Sequence, residues 1–285
     1  MNSLKRFFKK FVIVLIVFSV LGGVAYLIFR PRTQPCFNGV QDNSETGVDC
    51  GGFCDRACPI PSKPDYVQDI EINWVKFVED GRNNYDFIAS VSNENERWGV
   101  SGLSYEFIYY NEEGGILGNK TGETYIMPKG TDKTESAIKY IIEENIISNV
   151  RPARVEIKLA DFKWEEVVSE KDLDNLSEGV VEISNVYFEM SKSLGIYIGG
   201  GLTKNTSIYD FIKVDIDVVL WGENDELLAL GKTNQLTVAS GDGWGFSSLF
   251  PNFTGDVTDV VRIDCRTETN VFDSNNFMKE YRGKE

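Results

Sequence analysis

The sequence predicts a mainly β protein. Two tandem β-sandwiches are expected behind one N-terminal transmembrane helix and a small disulfide-rich stalk. Three observations carry this expectation. An uncharged apolar run over residues 11–29 is followed at once by four closely spaced cysteines. The chain beyond them alternates apolar and polar residues as half-buried strands do. That alternating pattern also occurs twice in the same order.

The apolar run is nineteen residues long, and at about 1.5 Å per residue it spans roughly 28 Å, close to a bilayer's hydrocarbon thickness. Lys5, Arg6, Lys9 and Lys10 precede it and only Arg30 and Arg32 follow closely, a bias that keeps the amino terminus in the cytoplasm. The run ends Leu27-Ile28-Phe29-Arg30-Pro31, without the small-residue site at which a signal peptide is cleaved. Cys36 follows polar residues and does not read as a lipid-attachment cysteine. The expected localisation is the cell membrane, single-pass, with the N-terminus cytoplasmic and the bulk of the chain extracytoplasmic. The lipid bilayer is thus the first partner, reached through the anchor.

Charge divides the molecule. The chain carries −15, yet residues 1–32 hold six basic side chains and no acidic one, which leaves −21 on the remainder. Such a surface repels nucleic acid, whose recognition needs clustered Lys and Arg. No nucleic-acid partner is expected.

Outside the cytoplasm, Cys36, Cys50, Cys54 and Cys58 read as two disulfides, because so short a segment cannot bury enough apolar surface to fold unaided. All three pairings stay open. The stretch resembles the short C-x-[ND]-G…E-T-x-V-D-C-G-G-x-C…C module of many secreted and surface bacterial proteins, matched by Asn38, Gly39, Glu45, Thr46, Val48, Asp49, Gly51 and Gly52 around the cysteines. The final gap is three residues here, where two is common. The resemblance implies a surface location more than an activity. Asp42, Asn43, Glu45 and Asp49 also bring hard oxygen donors near Gly47, the ligand chemistry of calcium, without the spacing of an EF-hand loop. The competing reading is that these residues only form turns between disulfides. No other cofactor is expected.

Pro59, Pro61 and Pro64 form a stiff spacer. Strands then follow at 85–91, 103–109 and 214–220. Glu71-Ile72 matches Glu182-Ile183, Asn93 matches Asn205, residues 107–110 match 218–221, Gly130 matches Gly241, and Val155-Glu156-Ile157 matches Val261-Arg262-Ile263. A period of about 111 residues means two similar domains rather than a solenoid. Their expected extents are 67–168 and 180–272, joined by a polar connection over 169–175, with a polar tail over 273–285.

The repeated segments resemble the FxLyD family, extracytoplasmic Ig-like β-sandwiches related to the water-stress (WHy-type) sandwiches. The motif appears as Phe107-Ile108-Tyr109-Tyr110-Asn111 and, degraded, as Val218-Val219-Leu220-Trp221-Gly222. A strand ending in Asn upstream (Asn93, Asn205) and a Pro/Gly turn downstream (Pro128-Lys129-Gly130) complete it. The resemblance implies binding, adhesion or envelope roles and supplies no catalytic residues.

Trp74, Tyr105, Phe107, Tyr109 and Trp164 are expected in cores or on sheet faces. Trp98 and Trp244 are the aromatic candidates for a binding surface at loop ends. Cys265 is the odd cysteine, expected as a buried free thiol sharing a face with Val261 and Ile263. The Asn-x-Ser/Thr triplets at Asn119, Asn205 and Asn252 read as chance matches.

An enzyme is not expected. The chain has no histidine, which removes Ser-His and Cys-His nucleophile pairs. No P-loop, G-x-G-x-x-G or G-x-S-x-G motif occurs. Gly199-Gly200-Gly201 falls in a β-rich stretch and reads as a bulge or close strand crossing. The expected function is a non-catalytic binding or envelope-assembly protein that contacts a surface or envelope protein or polymer. The alternative is a structural spacer without a specific ligand, stiffened by calcium in the stalk.

Overall fold

The computed structural model describes residues 63–278 except 82, 132–135, 169–172, 174 and 176–178. The expected anchor, the cysteine module, the calcium candidates Asp42, Asn43, Glu45 and Asp49, and most of the polar connection lie outside the described residues. No helix among the described residues is long and apolar enough to cross a membrane.

The described residues form one compact unit, and it is mainly β. Twelve strands follow in order: β1 (Glu71–Glu79), β2 (Asn84–Asn93), β3 (Trp98–Tyr110), β4 (Ile116–Ile126), β5 (Ala137–Ile147), β6 (Arg154–Glu166), β7 (Val181–Met190), β8 (Tyr197–Asn205), β9 (Phe211–Trp221), β10 (Leu227–Val238), β11 (Gly243–Phe250) and β12 (Arg262–Glu268). All pairings are antiparallel and make four three-stranded sheets, β1-β2-β5, β4-β3-β6, β11-β8-β7 and β10-β9-β12. The last six strands repeat the strand order of the first six.

Period-two alternation explains why each pair of sheets closes on itself. In β2 the inward phase is Tyr85, Phe87, Ala89 and Val91, and these meet Leu103, Phe107 and Tyr109 of β3 and Ile157 of β6 in one apolar cluster. In β9 the inward phase is Ile216, Val218 and Leu220, which meet Phe246 and Phe250 of β11. A third cluster joins the halves. Ile88, Tyr140 and Ile142, on the outward faces of β2 and β5, pack with Val219, Trp221, Leu227 and Leu230 of β9 and β10. Nine of the ten residues of β2 are therefore buried.

Strand pairing corrects one sequence correspondence. Arg154 lies opposite Tyr110, and Arg262 lies opposite Trp221. Val155 therefore corresponds to Ile263, and Ile157 to Cys265, whereas the motif alignment set Ile157 against Ile263. The connections before β6 and β12 differ in length, and only pairing with the central strand fixes the register. Val261 is 58% exposed and precedes the strand, so within β12 Cys265 shares its face with Ile263 and Thr267.

Residues 273–278 also differ from the loose tail expected of them. Phe277 pairs with Phe211 and packs on Tyr209 and Phe211, at centroid distances of 5.4 and 5.6 Å. The Met278 N–H donates to the Asp210 carbonyl at 3.0 Å. One aromatic anchor suffices to fold this polar stretch back onto β9.

Candidate functional site

A cleft of about 610 Å3 opens where the β1-β2-β5 sheet meets the β10-β9-β12 sheet. Its aromatic base is fixed by ring geometry. Trp74 meets Trp221 edge-on at 5.4 Å and an 87° interplanar angle, and Tyr140 at 5.7 Å. Trp74 comes from β1, Tyr140 from β5 and Trp221 from the end of β9, so three strands from both halves build one aromatic floor.

Strand β12 supplies the charged wall. Arg262, Asp264 and Arg266 occupy alternate positions, and alternation points all three into the cleft. Asp264 accepts from the Trp221 indole N–H at 2.8 Å and from the Tyr140 hydroxyl at 3.2 Å. Arg262 holds Asp225 at 3.1 Å and Asp264 at 3.5 Å while its guanidinium lies 5.0 Å from the Trp221 ring centroid. Lys76 covers the same ring at 5.2 Å and donates to the Asp225 carbonyl at 2.5 Å. Arg266 lies 5.0 Å from the Tyr140 ring. These are cation–π arrangements in which the indole and phenol faces are already taken. Burial raises the Tyr140 hydroxyl above its ordinary value, with Arg266 opposing and Asp264 adding.

The opposite wall is polar, with Glu71 and Glu94 beside its hydroxyl and amide groups. Asn73 donates to Ser90 at 3.2 Å and accepts from Ser92 at 3.1 Å, a side-chain ladder across β1 and β2. The cleft thus presents a hydroxyl–amide wall flanked by Glu71 and Glu94, facing an Arg–Asp–Arg wall across an aromatic floor. The Asp264 carboxylate is committed to three donors, an arrangement that holds the geometry of this wall.

A second hollow of about 510 Å3 lies beside β10, lined by Asp86, Glu144 and Lys232 among others. Burial pushes the Asp86 carboxyl up to about 6, against the opposing hydrogen bond from the Asn145 N–H at 2.9 Å. Among the described residues no cluster of His, Cys, Asp or Glu has the arrangement of a metal site.

The two tryptophans singled out from sequence lie elsewhere. Trp98 opens β3 and packs half-buried on the first cluster, its carbonyl accepting from Asn93 at 2.7 Å. Trp244 lies in β11, packed half-buried beside Phe211 and Val238, and its indole N–H has no hydrogen-bond partner among the described residues. Both fold back onto apolar clusters, and neither reaches the cleft. Trp74, expected in a core or on a sheet face, stands in the cleft floor, and Trp221, Arg262 and Asp264 join it there without a site role expected from the sequence. The signal for them was Ile88 and Val219, apolar residues standing in the outward phase of otherwise polar alternation.

No family model matches the chain, and no curated protein matches it. Among solved structures, the exo-chitosanase CsxA of Amycolatopsis orientalis is similar at 14% identity and a TM-score of 0.24, over 64% of this chain and 24% of the enzyme. A complex of a variant of the same enzyme with PNP-beta-D-glucosamine gives 14% identity, a TM-score of 0.23 and coverage of 64% and 25%. This chain spans about a quarter of the length of these enzymes. No reading of this chain rests on likenesses at such TM-scores.

Proposed function

We propose that the chain is a non-catalytic, membrane-anchored extracytoplasmic binding or envelope-assembly protein. In this reading β1–β6 and β7–β12 are two tandem Ig-like sandwiches of the FxLyD/WHy type, carried on the 11–29 anchor and a disulfide stalk. The duplicated strand order and the twice-used terminal asparagine support the tandem reading. The −21 charge beyond the anchor argues against nucleic acid and for a protein or polymer of the cell surface. The observation that carries the functional reading is the cleft. Two sheets locked through Trp74 and Trp221 hold polar groups of fixed geometry around a concave aromatic floor, the usual composition of a recognition site. The lack of histidine and the pairing of Asp264 support binding over catalysis.

The test is site-specific photocrosslinking on intact cells, with the reactive group at Ser92 in the cleft and a control at exposed Glu226. A discrete surface adduct at Ser92, absent from the control and lost in Arg262→Glu, is the expected result. Equal labelling at both positions would overturn the binding reading in favour of a spacer. Thiol labelling of the same cells checks location: Cys36, Cys50, Cys54 and Cys58 should react only after reduction, and free cytoplasmic thiols would sink the topology.

A further inference from the structure

The contact between the two halves joins non-equivalent faces of a repeated unit. The outward face of β1-β2-β5 sits on the outward face of β10-β9-β12. Each half carries both kinds of face, so among the described residues one of each is left over: β4-β3-β6 in the first half and β11-β8-β7 in the second.

The free β4-β3-β6 face keeps the chemistry of the occupied one. In the receiving face, Trp221 lies beside Arg262, Val219 beside Asp264 and Asp217 beside Arg266. At the same strand positions of the first half, Tyr110 lies beside Arg154, Ile108 beside Glu156 and Glu106 beside Lys158. The detail repeats too. The Tyr110 hydroxyl donates to Glu156 at 3.0 Å, Arg154 lies 4.4 Å from the Tyr110 ring, and Arg154 pairs with Glu156 at 2.7 Å. Ile116, in the place of Leu227, is 68% exposed.

The free β11-β8-β7 face is equivalent to the face that is seated. It carries Leu202, Leu249 and Tyr187 at 47, 52 and 39% exposure, and the Tyr187 ring lies across Gly200. Gly200, Gly245 and Ser247 stand where the seated face has Ile88, Tyr140 and Ile142. The central anchor is smaller on the free β4-β3-β6 face, Tyr110 for Trp221. On β11-β8-β7 three anchors are replaced by Gly200, Gly245 and Ser247, with Leu202, Leu249 and Tyr187 as the apolar side chains that remain.

We infer that the two free faces are mates, and that a second copy of this chain docks its β11-β8-β7 face on the β4-β3-β6 face of the first. The contact is head-to-tail, so it does not close on two copies and propagates. Smaller and fewer anchors make it weaker than the internal contact and reversible with concentration, in the class of transient interfaces. This association is independent of the cleft.

The test is the mass of the full chain in detergent micelles, by light scattering with the detergent contribution subtracted, over a hundredfold range of concentration. The parent should grow beyond a dimer. Ile116→Glu and Leu202→Glu each alter one exposed position and should each remain monomeric alone. Mixed in equal amounts they should stop at a dimer, because each retains one competent face. Should Leu202→Glu fail to fold by circular dichroism, Leu249→Glu replaces it on the same face. A parent that stays monomeric throughout, variants that associate like the parent, or a mixture that stays monomeric each overturns the inference.

Discussion

Asn93 and Asn205 end β2 and β8 with the same hydrogen-bond set. Asn93 donates to the carbonyls of Trp98 and Met127 at 2.7 and 2.9 Å and accepts from the Asn95 N–H at 3.0 Å. Asn205 donates to the carbonyls of Tyr209 and Ala239 at 2.8 and 3.2 Å and accepts from the Ser207 N–H at 3.0 Å. Both side chains are fully buried. Each amide ties the strand end to two separate connections, where no ladder partner is available to the freed backbone groups.

Removing either amide strands two carbonyls and one N–H at a buried site. Asn93→Ala and Asn205→Ala should each cost about 2–4 kcal/mol, because unsatisfied buried groups carry their full desolvation penalty. Asn93→Asp should cost at least as much at neutral pH, since a carboxylate cannot donate to the two carbonyls. Urea denaturation of each variant checks this, and a loss below about 0.5 kcal/mol, the scatter of surface substitutions, would contradict it.

Trp221 has a natural comparator in Tyr110, which makes the equivalent donor contact with an acidic residue and sits beneath the equivalent arginine. Trp221→Tyr should therefore keep the halves together at a cost of about 1–1.5 kcal/mol, like other near-conservative core changes. Trp221→Ala empties the centre of the joining cluster and should cost about 3–5 kcal/mol. Hydrogen exchange of β5 amides reports the contact directly, and equal protection in Trp221→Ala and the parent would refute the packing role.

Much of this fold was legible because the repeat is marked by residues whose backbone demands are unusual. Asn93 and Asn205 stand out as polar residues ending apolar strands, and Gly130 and Gly241 both adopt positive φ, 88° and 80°, at turns. The Ile157–Cys265 correspondence was not legible, because loop length hides register. Nor was the cleft. Trp74 and Trp221 lie in different halves; Ile88 and Val219 mark two apolar outward faces, but no local pattern says that these two faces bury each other. Ser90, Asn73 and Asp264 look like solvent-facing alternation, and only the assembled sheets turn them into walls. Phe277 shows the same limit, since a single aromatic in a polar stretch gives no periodicity to read.

Asp217 makes stability depend on pH. It is 5% exposed in the outward phase of β9, between Lys232 of β10 and Arg266 of β12, with Lys139, Glu268 and Asp215 also near. Burial, reinforced by Glu268, pushes its carboxyl up to about 7 from the ordinary 3.8. An acid whose folded value is raised binds more protons folded than unfolded, so stability falls as pH rises from about 4 to 7 and then levels. Asp217→Asn should flatten that slope, raising the melting temperature by several degrees at pH 8 and leaving pH 4 nearly unchanged. Calorimetry across this range decides it, and a variant that loses stability equally at both ends would rule out the titration.

Cys265 takes the place that Ile157 holds in the first half and packs partly buried beside Ile263 on the β9 cluster. It is a free thiol. Burial, with Asp264 adding, pushes it up to about 12. The thiolate is the reactive form, so the folded protein holds almost none at pH 8. Alkylation of Cys265 by iodoacetamide should be at least about a hundredfold slower folded than in urea, a ratio set by thiolate fraction and access. Its packing role is modest and apolar. Cys265→Val should therefore change stability by less than about 1.5 kcal/mol, as volume-conserving apolar swaps do. Cys265→Asp puts an unpaired charge against the cluster beside Asp264 and should be strongly destabilising. Peptide mapping of the alkylated protein separates Cys265 from the four N-terminal cysteines. Rapid labelling of the folded chain there would place the thiol in solvent and contradict its packing on the β9 cluster.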